Sequence, residues 1–359
     1  MRMLPLFFKR FSALASSNIA GAAIVSIALS VAGVATHANA QSPVGMPNEP
    51  VLSINDWLLR MHDAAMKKRS YIGTLVQSSP QTISSARIWH TCDGAQQMER
   101  IETLTGAPRS TFRHNDKLVT FLPEAKLVRV EKREQIGGFP ELLKPGVGSI
   151  PEFYGVKTLG AERIAGLDAD VVQLVPKDSL RFGYRIWTEK KSSLVLKLQT
   201  LDAGGAVLEQ AAFSELQLDA PVKMEKLLQM MAATEGYKVD QAAIVKTTAA
   251  AEGWQMKLPV PGFKSISCYK RGAASGQASA SNAALHGEPT FQWLFSDGLA
   301  TVSLFVEDFD KTRHTQEGMI TSGATHTLLK RMNEFWLTAV GEVPPQTLKN
   351  FALNLERKR

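Results

Sequence analysis

The chain has 359 residues, and at about 100–200 residues per domain that length reads as two domains. Apolar residues make up 44% and charged residues 21%, with 26 glycines and 17 prolines, which excludes a mostly disordered or collagen-like protein. Two cysteines, Cys92 and Cys268, exclude a disulfide scaffold or a four-cysteine zinc site, and the formal charge of +7 comes from basic residues interspersed with acidic ones rather than from a nucleic-acid-binding tract.

The first 40 residues read as a signal peptide. Arg2, Lys9 and Arg10 give a positive start, an uncharged Ala-, Val- and Ile-rich run spans Ile19 to Ala35, and Ala38-Asn39-Ala40 supplies the small-x-small pattern for cleavage after Ala40. The run is short for a membrane anchor, which needs about 17–25 apolar residues, and Gly21 and Gly33 interrupt it. The mature protein is therefore expected in an exported, oxidising compartment. Residues 41–50 hold three prolines (Pro43, Pro47, Pro50) without periodicity and read as a flexible arm.

A helix is predicted from Ser53, which makes a capping box with Asp56, to about Lys68; Ile54, Trp57, Leu58, Met61 and Ala65 form its apolar stripe. Strands follow at 71–77, 86–91, 97–103, 109–114, 117–122 and 127–132, separated by turn residues such as Asp93-Gly94, Gly106 and Asn115-Asp116, as in an antiparallel meander. Gly137 to Gly155 reads as a Gly/Pro-rich excursion. Strands resume at 170–175, 181–187, 194–201 and 206–213, the last two joined by Asp202-Ala203-Gly204-Gly205. Alternation puts Leu194, Leu196 and Leu198 on one face and Val195, Lys197 and Gln199 on the other. Residues 219–258 carry few strand signals, with a Met-rich helix at Val222–Ala233, and read as an interdomain linker. A smaller domain spans 259–359, with strands at 263–269, 290–295, 300–307 and 333–340. An uncharged, alanine-rich loop occupies Gly272–Gly287. A last helix after Pro344-Pro345 has Leu348, Phe351, Ala352 and Leu355 as its buried stripe and Glu356–Arg359 as its solvated end.

The chemistry-bearing motifs are missing. The seven histidines make no H-E-x-x-H, and there is no G-x-S-x-G, P-loop, G-x-G-x-x-G or C-x-x-C. His90 and Cys92 share a strand face and read either as a Cys–His nucleophile pair or as a strand end with alternating side chains. Glu307, Asp308 and Asp310 read either as a cation site or as a solvated turn, and they lack the spaced ligands of a calcium loop. Cys92 and Cys268 either pair across the domains or remain free thiols. The reading is a binding protein, not an enzyme, with no cofactor and no metal.

Six segments carry a resemblance. They are Gly160-Ala-Glu-Arg-Ile-Ala-Gly166; Val171-Val172 through Tyr184-Arg-Ile-Trp187; Leu208-Glu209-Gln210; Leu258-Pro-Val-Pro-Gly-Phe263; Ser296-Asp-Gly-Leu299; and Val340-Gly-Glu-Val-Pro-Pro-Gln346. In content and order, over about Val51 to Leu355, they resemble the RseB/MucB family of periplasmic regulators of the envelope-stress sigma factor; the alanine-rich loop departs from it. The resemblance implies an α+β, mainly antiparallel fold: a LolA-like unclosed half-barrel over 51–218, with helices across its concave side, plus the smaller sheet-and-helix domain. It also implies a function. Such a protein binds the periplasmic part of a membrane-spanning anti-sigma factor, shields it from site-1 proteolysis, and lets go on binding lipopolysaccharide or lipid. The alternative is a periplasmic lipid or lipoprotein carrier without a regulatory partner. A homo-oligomer is left open.

Within that fold, Trp57, Met61, Phe121, Trp187, Leu196 and Leu198 are the residues expected to bury an acyl chain, each equally readable as core. Lys126, Arg129, Lys132 and Arg133 are expected to meet a phosphorylated headgroup, or else to guard an edge strand. The turn Ser296-Asp297-Gly298, with Phe263 and Phe295 as apolar anchors, is expected to meet the protein partner, or else to be a hairpin turn over two core aromatics.

Overall fold

The computed structural model describes residues 53–64, 70–94, 96–132, 150–241, 244–271 and 290–358. The signal peptide and its cleavage site, the arm of 41–50, the end of the first predicted helix, most of the 137–155 excursion, Arg133 and the alanine-rich loop lie outside them.

Helix α1 (Ile54–Asp63) starts as its capping box requires: Ser53 Oγ accepts from the Asp56 amide at 3.2 Å and donates to the Asp56 carboxylate at 2.7 Å. An antiparallel meander follows: β1 (Tyr71–Ser78), β2 (Ile83–Cys92), β3 (Gln97–Thr103), β4 (Ser110–His114), β5 (Lys117–Leu122) and β6 (Leu127–Lys132). Asn115, in the left-handed region at φ 52°, turns β4 into β5. A one-turn helix, α2 (Ile150–Phe153), leads into a second meander of β7 (Tyr154–Ile164), β8 (Leu167–Pro176), β9 (Gly183–Glu189), β10 (Val195–Leu201) and β11 (Val207–Leu218). Pairing of β1 with β11 welds the two meanders, eleven strands, into one sheet.

The segment 219–258, which sequence patterning reads as a linker, is built into both sheets. Helix α3 (Met224–Ala232) lies on the first sheet, and β12 (Lys238–Gln241) joins its edge parallel to β6. Strand β13 (Ile244–Thr247) edges the second sheet, and β14 (Trp254–Met256) pairs elsewhere. Four-residue edge strands have too few alternating positions to register in a sequence. The first sheet ends in β12 on one side and β7 on the other, and these edges do not pair, so the sheet is unclosed.

The second sheet has seven strands in the order β13-β15-β16-β17-β20-β19-β18, where β15 is Lys264–Arg271, β16 Thr290–Ser296, β17 Thr301–Asp308, β18 Gly318–Ser322, β19 Thr325–Met332 and β20 Phe335–Gly341. Helix α4 (Pro345–Asn354) buries Leu348, Phe351 and Ala352 against it. The expected solvated helix end is instead strand β21 (Leu355–Arg357), paired with β14: Leu355 turns extended (ψ 124°), and its side chain stays in the core. The described residues form one compact unit.

Candidate functional site

The first sheet has an apolar face under α1. Leu58 and Met61 bury there against Val172, Leu174, Tyr184, Ile186 and Val195, with Trp57 and Leu198 half-buried at the margin. Three of the residues expected to bury an acyl chain, Trp57, Met61 and Leu198, are thus brought together. The other three are not. Alternation through β2 to β6 is unbroken, and it puts Phe121 with Trp89 and Phe112 on the face opposite Tyr71 and Ile88. Phe121 packs there beneath α3, edge-on to Phe112 (5.6 Å) and Tyr237 (5.4 Å).

Leu196 departs for a different reason. Val195 pairs with Thr188 and Lys197 with Trp187, so Leu196 is an extra residue in β10, a bulge. The expected common face of Leu194, Leu196 and Leu198 is broken: Leu194 packs with Tyr71 and Phe213, Leu196 with Trp187 and Val171, and Leu198 with the α1 cluster. A bulge shifts the pleat by one residue, and nothing in Leu-Val-Leu-Lys-Leu announces it. Trp187 is tied by its indole to Glu162 at 2.8 Å, and Lys197 lies 4.4 Å over its ring.

The basic cluster does not converge on one point. Arg129 and Lys132 are three apart on a strand and point to opposite faces. Arg129 lies 3.8 Å from Asp240, Lys132 lies 3.1 Å from Asp116, and Lys126 caps a 3-10 turn in the left-handed region at φ 45°. A cleft of about 500 Å³ elsewhere has the composition an anionic amphiphile needs. Arg60, Lys191, Ser192 and Ser193 form its polar lining, and Ala64, Leu194 and Leu218 its apolar one. Sequence reading missed it because Arg60 lies in the last turn of α1 and Lys191 in the β9–β10 turn, far apart along the chain.

The turn Ser296-Asp297-Gly298 is buried and fully used inside the molecule. Asp297 Oδ1 accepts from the amides of Leu299 (2.9 Å) and Ala300 (2.8 Å); Ser296 Oγ donates to the Ala300 carbonyl (2.7 Å) and accepts from the Gly298 amide (2.9 Å). Asp297 Oδ2 faces the first sheet and accepts from Arg181 Nε at 2.9 Å and from the Tyr154 hydroxyl at 3.1 Å. Arg181 also donates to Asp178 and to the Pro261 carbonyl (2.7 Å), and it lies 4.2 Å over Phe153. Its guanidinium occupies the space a Cβ of Gly262 (φ 80°) would need, so that position requires glycine. Burial, with the charges of Tyr184 and Asp297, raises the Tyr154 phenol well above its ordinary pKa and keeps it a donor. Thr347, at the start of α4, donates to the Leu180 carbonyl at 2.6 Å. Phe263 and Phe295 are core, packed on Phe351 at 5.5 and 4.9 Å. The turn's backbone groups, expected to meet an incoming peptide, are therefore taken by its own side chains, and the Asp297 carboxylate joins the turn to the first sheet.

Several residues of the catalytic and cation alternatives are engaged in charged pairs. His90 Nδ1 is 3.1 Å from Glu99, whose other oxygen meets Arg113 at 2.9 Å, and the imidazole stacks on Tyr71 at 4.8 Å. Cys92 and Cys268 are not joined by a disulfide. Glu307 is held by His314 (2.9 Å) and Arg313 (3.5 Å), and Asp310 by Arg313 (3.0 Å).

Residues 53–231 match the sequence profile of the MucB/RseB N-terminal domain, and residues 248–356 that of the MucB/RseB C-terminal domain. The chain belongs to the MucB/RseB family. Among curated relatives, the sigma factor AlgU regulatory protein MucB of Pseudomonas aeruginosa is 27% identical over 327 residues, 88% of this chain and 94% of MucB. The sigma-E factor regulatory protein RseB of Escherichia coli K12 is 21% identical over 302 residues, 83% of this chain and 89% of RseB. The crystal structure of MucB in complex with MucA(peri) superposes with a TM-score of 0.62 at 23% identity, covering 86% of this chain and all of that one.

In this MucB/RseB chain the segments that carry the family resemblance gather at the seam between the sheets. Tyr184 packs beside Tyr154, Glu209 touches the β18–β19 turn, Pro261 and Phe263 receive Arg181, Asp297 closes the hub, and Glu342 follows β20. The Gly160–Gly166 run alone sits elsewhere, in the β7–β8 hairpin.

Proposed function

We propose that this chain is an exported regulator that binds the periplasmic part of a membrane-spanning anti-sigma factor. One observation carries the reading: both family domains are present in order, and the MucA-bound form of MucB is matched in fold over its whole length. The regulatory role in the names of MucB and RseB supports it. The N-terminal pattern ending at Ala38-Asn39-Ala40 supports a periplasmic location, and no helix among the described residues is long and apolar enough to cross a membrane.

In this reading the bound protein shields the anti-sigma factor from its site-1 protease, and a lipid or lipopolysaccharide signal releases it. The α1-covered face, with Trp57, Met61 and Leu198, takes the acyl chain, and Arg60 and Lys191 in the neighbouring cleft serve a phosphorylated headgroup better than the dispersed Lys126, Arg129 and Lys132. The same cleft favours a second reading, a lipid carrier with no protein partner. The test is a titration of the full mature chain with the periplasmic segment of its own anti-sigma factor, followed by site-1 protease digestion of the complex. Binding and protection, both lost on adding lipopolysaccharide, are the expected result; lipid binding without anti-sigma binding would leave the carrier.

A further inference from the structure

We infer that Glu209 and Glu342 form a socket at the seam of the two sheets for a lysine or arginine side chain of a peptide partner. Glu209 stands on β11 of the first sheet, and Glu342 directly follows β20 of the second. The Glu209 contacts are long: Gln77 Nε2 donates at 3.4 Å, and the Ala324 amide donates at 3.4 Å from the β18–β19 turn. Gly323 (φ 59°) keeps this approach open, since a Cβ there would stand 3.0 Å from the Glu209 carboxylate. Glu342 is exposed at the rim. Among the described residues, neither carboxylate has a cation within ion-pair distance, whereas the other carboxylates of the seam, Asp178 and Asp297, share Arg181.

Two buried polar atoms border the same place with no hydrogen-bond partner: the Tyr184 hydroxyl and His326 Nδ1, on residues 5% and 6% exposed. Both belong to this seam. Tyr184 lies within electrostatic reach of Glu342, and His326, paired with Gly341 beside Glu342, tilts its ring to 5.9 Å from Phe182 of the first sheet. Buried polar groups are normally satisfied, so two orphans in the seam that holds this acidic pair leave hydrogen-bonding capacity there unused. Desolvation, and after it the like charge of Glu209, raises the Glu342 carboxyl above its ordinary pKa. An anion is excluded by charge. A metal lacks a third ligand, since the described His, Cys, Asp and Glu side chains nowhere gather in threes. A guanidinium or ammonium supplies the charge and the donors together.

The socket rests on the proposed anti-sigma binding. The experiment is calorimetric titration of the full mature chain with the periplasmic segment of its anti-sigma factor, comparing wild type with Glu342→Gln, Glu209→Gln and the double variant at two salt concentrations. Near-UV circular dichroism confirms that each variant is folded. Each single variant is expected to weaken binding roughly tenfold and to flatten the salt dependence. Replacing the segment's basic residues one at a time should identify one whose loss is no longer felt in Glu342→Gln. Glu342→Lys should weaken binding further, and exchange of that basic residue for Glu should restore it. A wild-type chain that does not bind the segment overturns the functional reading and this socket with it. A wild-type chain that binds, with the Gln variants equally tight and equally salt-dependent, overturns the socket alone.

Discussion

Glu99 shows how one buried charge is made tolerable. Burial pushes its pKa up, but Arg113 and His90, both in hydrogen-bonding contact, outweigh burial and bring it from 4.5 down to about 2. A carboxyl depressed in the folded state contributes stability that is complete above the unfolded value near 4.5 and is lost as pH falls toward 2. By pH 3 this group alone should cost about 2 kcal/mol relative to pH 6. Urea denaturation at the two pH values, on wild type and Glu99→Gln, tests it. The variant starts lower, because Arg113 and His90 lose the carboxylate they share, but its stability should fall less on acidification. Parallel losses in the two proteins would show that the Glu99 pair contributes nothing to acid sensitivity. The sequence shows His90 and Cys92 on one face, but not that Glu99, directly opposite on the next strand, is the group His90 meets.

At the scale of elements, legibility followed the physics of burial. Strands with one wet and one dry face, such as β5 and β17, announce themselves by alternation, and α1 by its cap and stripe. Strand β7 does not: it is a sheet edge exposed along most of its length, so no selection for an apolar face marks Gly155 to Arg163. Strands β18 and β19 escape for a related reason, β18 being a short exposed edge and β19 half-buried along most of its length. The bulge at Leu196 is invisible because one extra residue changes no composition, yet it reassigns which leucine faces α1. A pair of variants separates the two faces of the first sheet. Trp57→Ala removes a half-buried ring from the α1 cluster and should weaken binding of a fluorescent acyl probe about tenfold, given roughly 0.8 kcal/mol per buried methylene. Phe121→Leu, beneath α3 on the other face, should lower stability by about 1 kcal/mol and leave probe binding unchanged. Equal effects of the two variants on the probe would mean that the acyl chain does not lie under α1.

At the scale of the whole molecule, the seam decides whether the two sheets act as one body. Arg181 and Asp297 are fully buried, and each is committed to more than one partner: Arg181 to Asp297, Asp178, Pro261 and the Phe153 ring, Asp297 to Arg181, Tyr154 and its own turn. Removing one member of such a pair leaves an uncompensated buried charge and costs about 3–5 kcal/mol. Because that cost falls on the contact between sheets and not inside either core, it should lower cooperativity more than it disrupts either fold. Hydrogen exchange resolves this. In the wild type, the slowest amides of β9–β10 and β16–β17 should open together with the same free energy, as parts of one cooperative unit. In Asp297→Asn the two sets should part, with the sheet of the weaker core exchanging by its own subglobal opening while the other keeps more of its protection. If both sets drop by the same amount and remain equal, the cores themselves are interdependent and the Arg181–Asp297 hub is not what couples them. The result also bears on how partner-binding variants are read. A Ser296 or Asp297 substitution that abolishes anti-sigma binding while splitting the exchange pattern has acted by loosening the seam that positions Glu209 against Glu342. The same loss with the wild-type exchange pattern would place the partner directly on the turn.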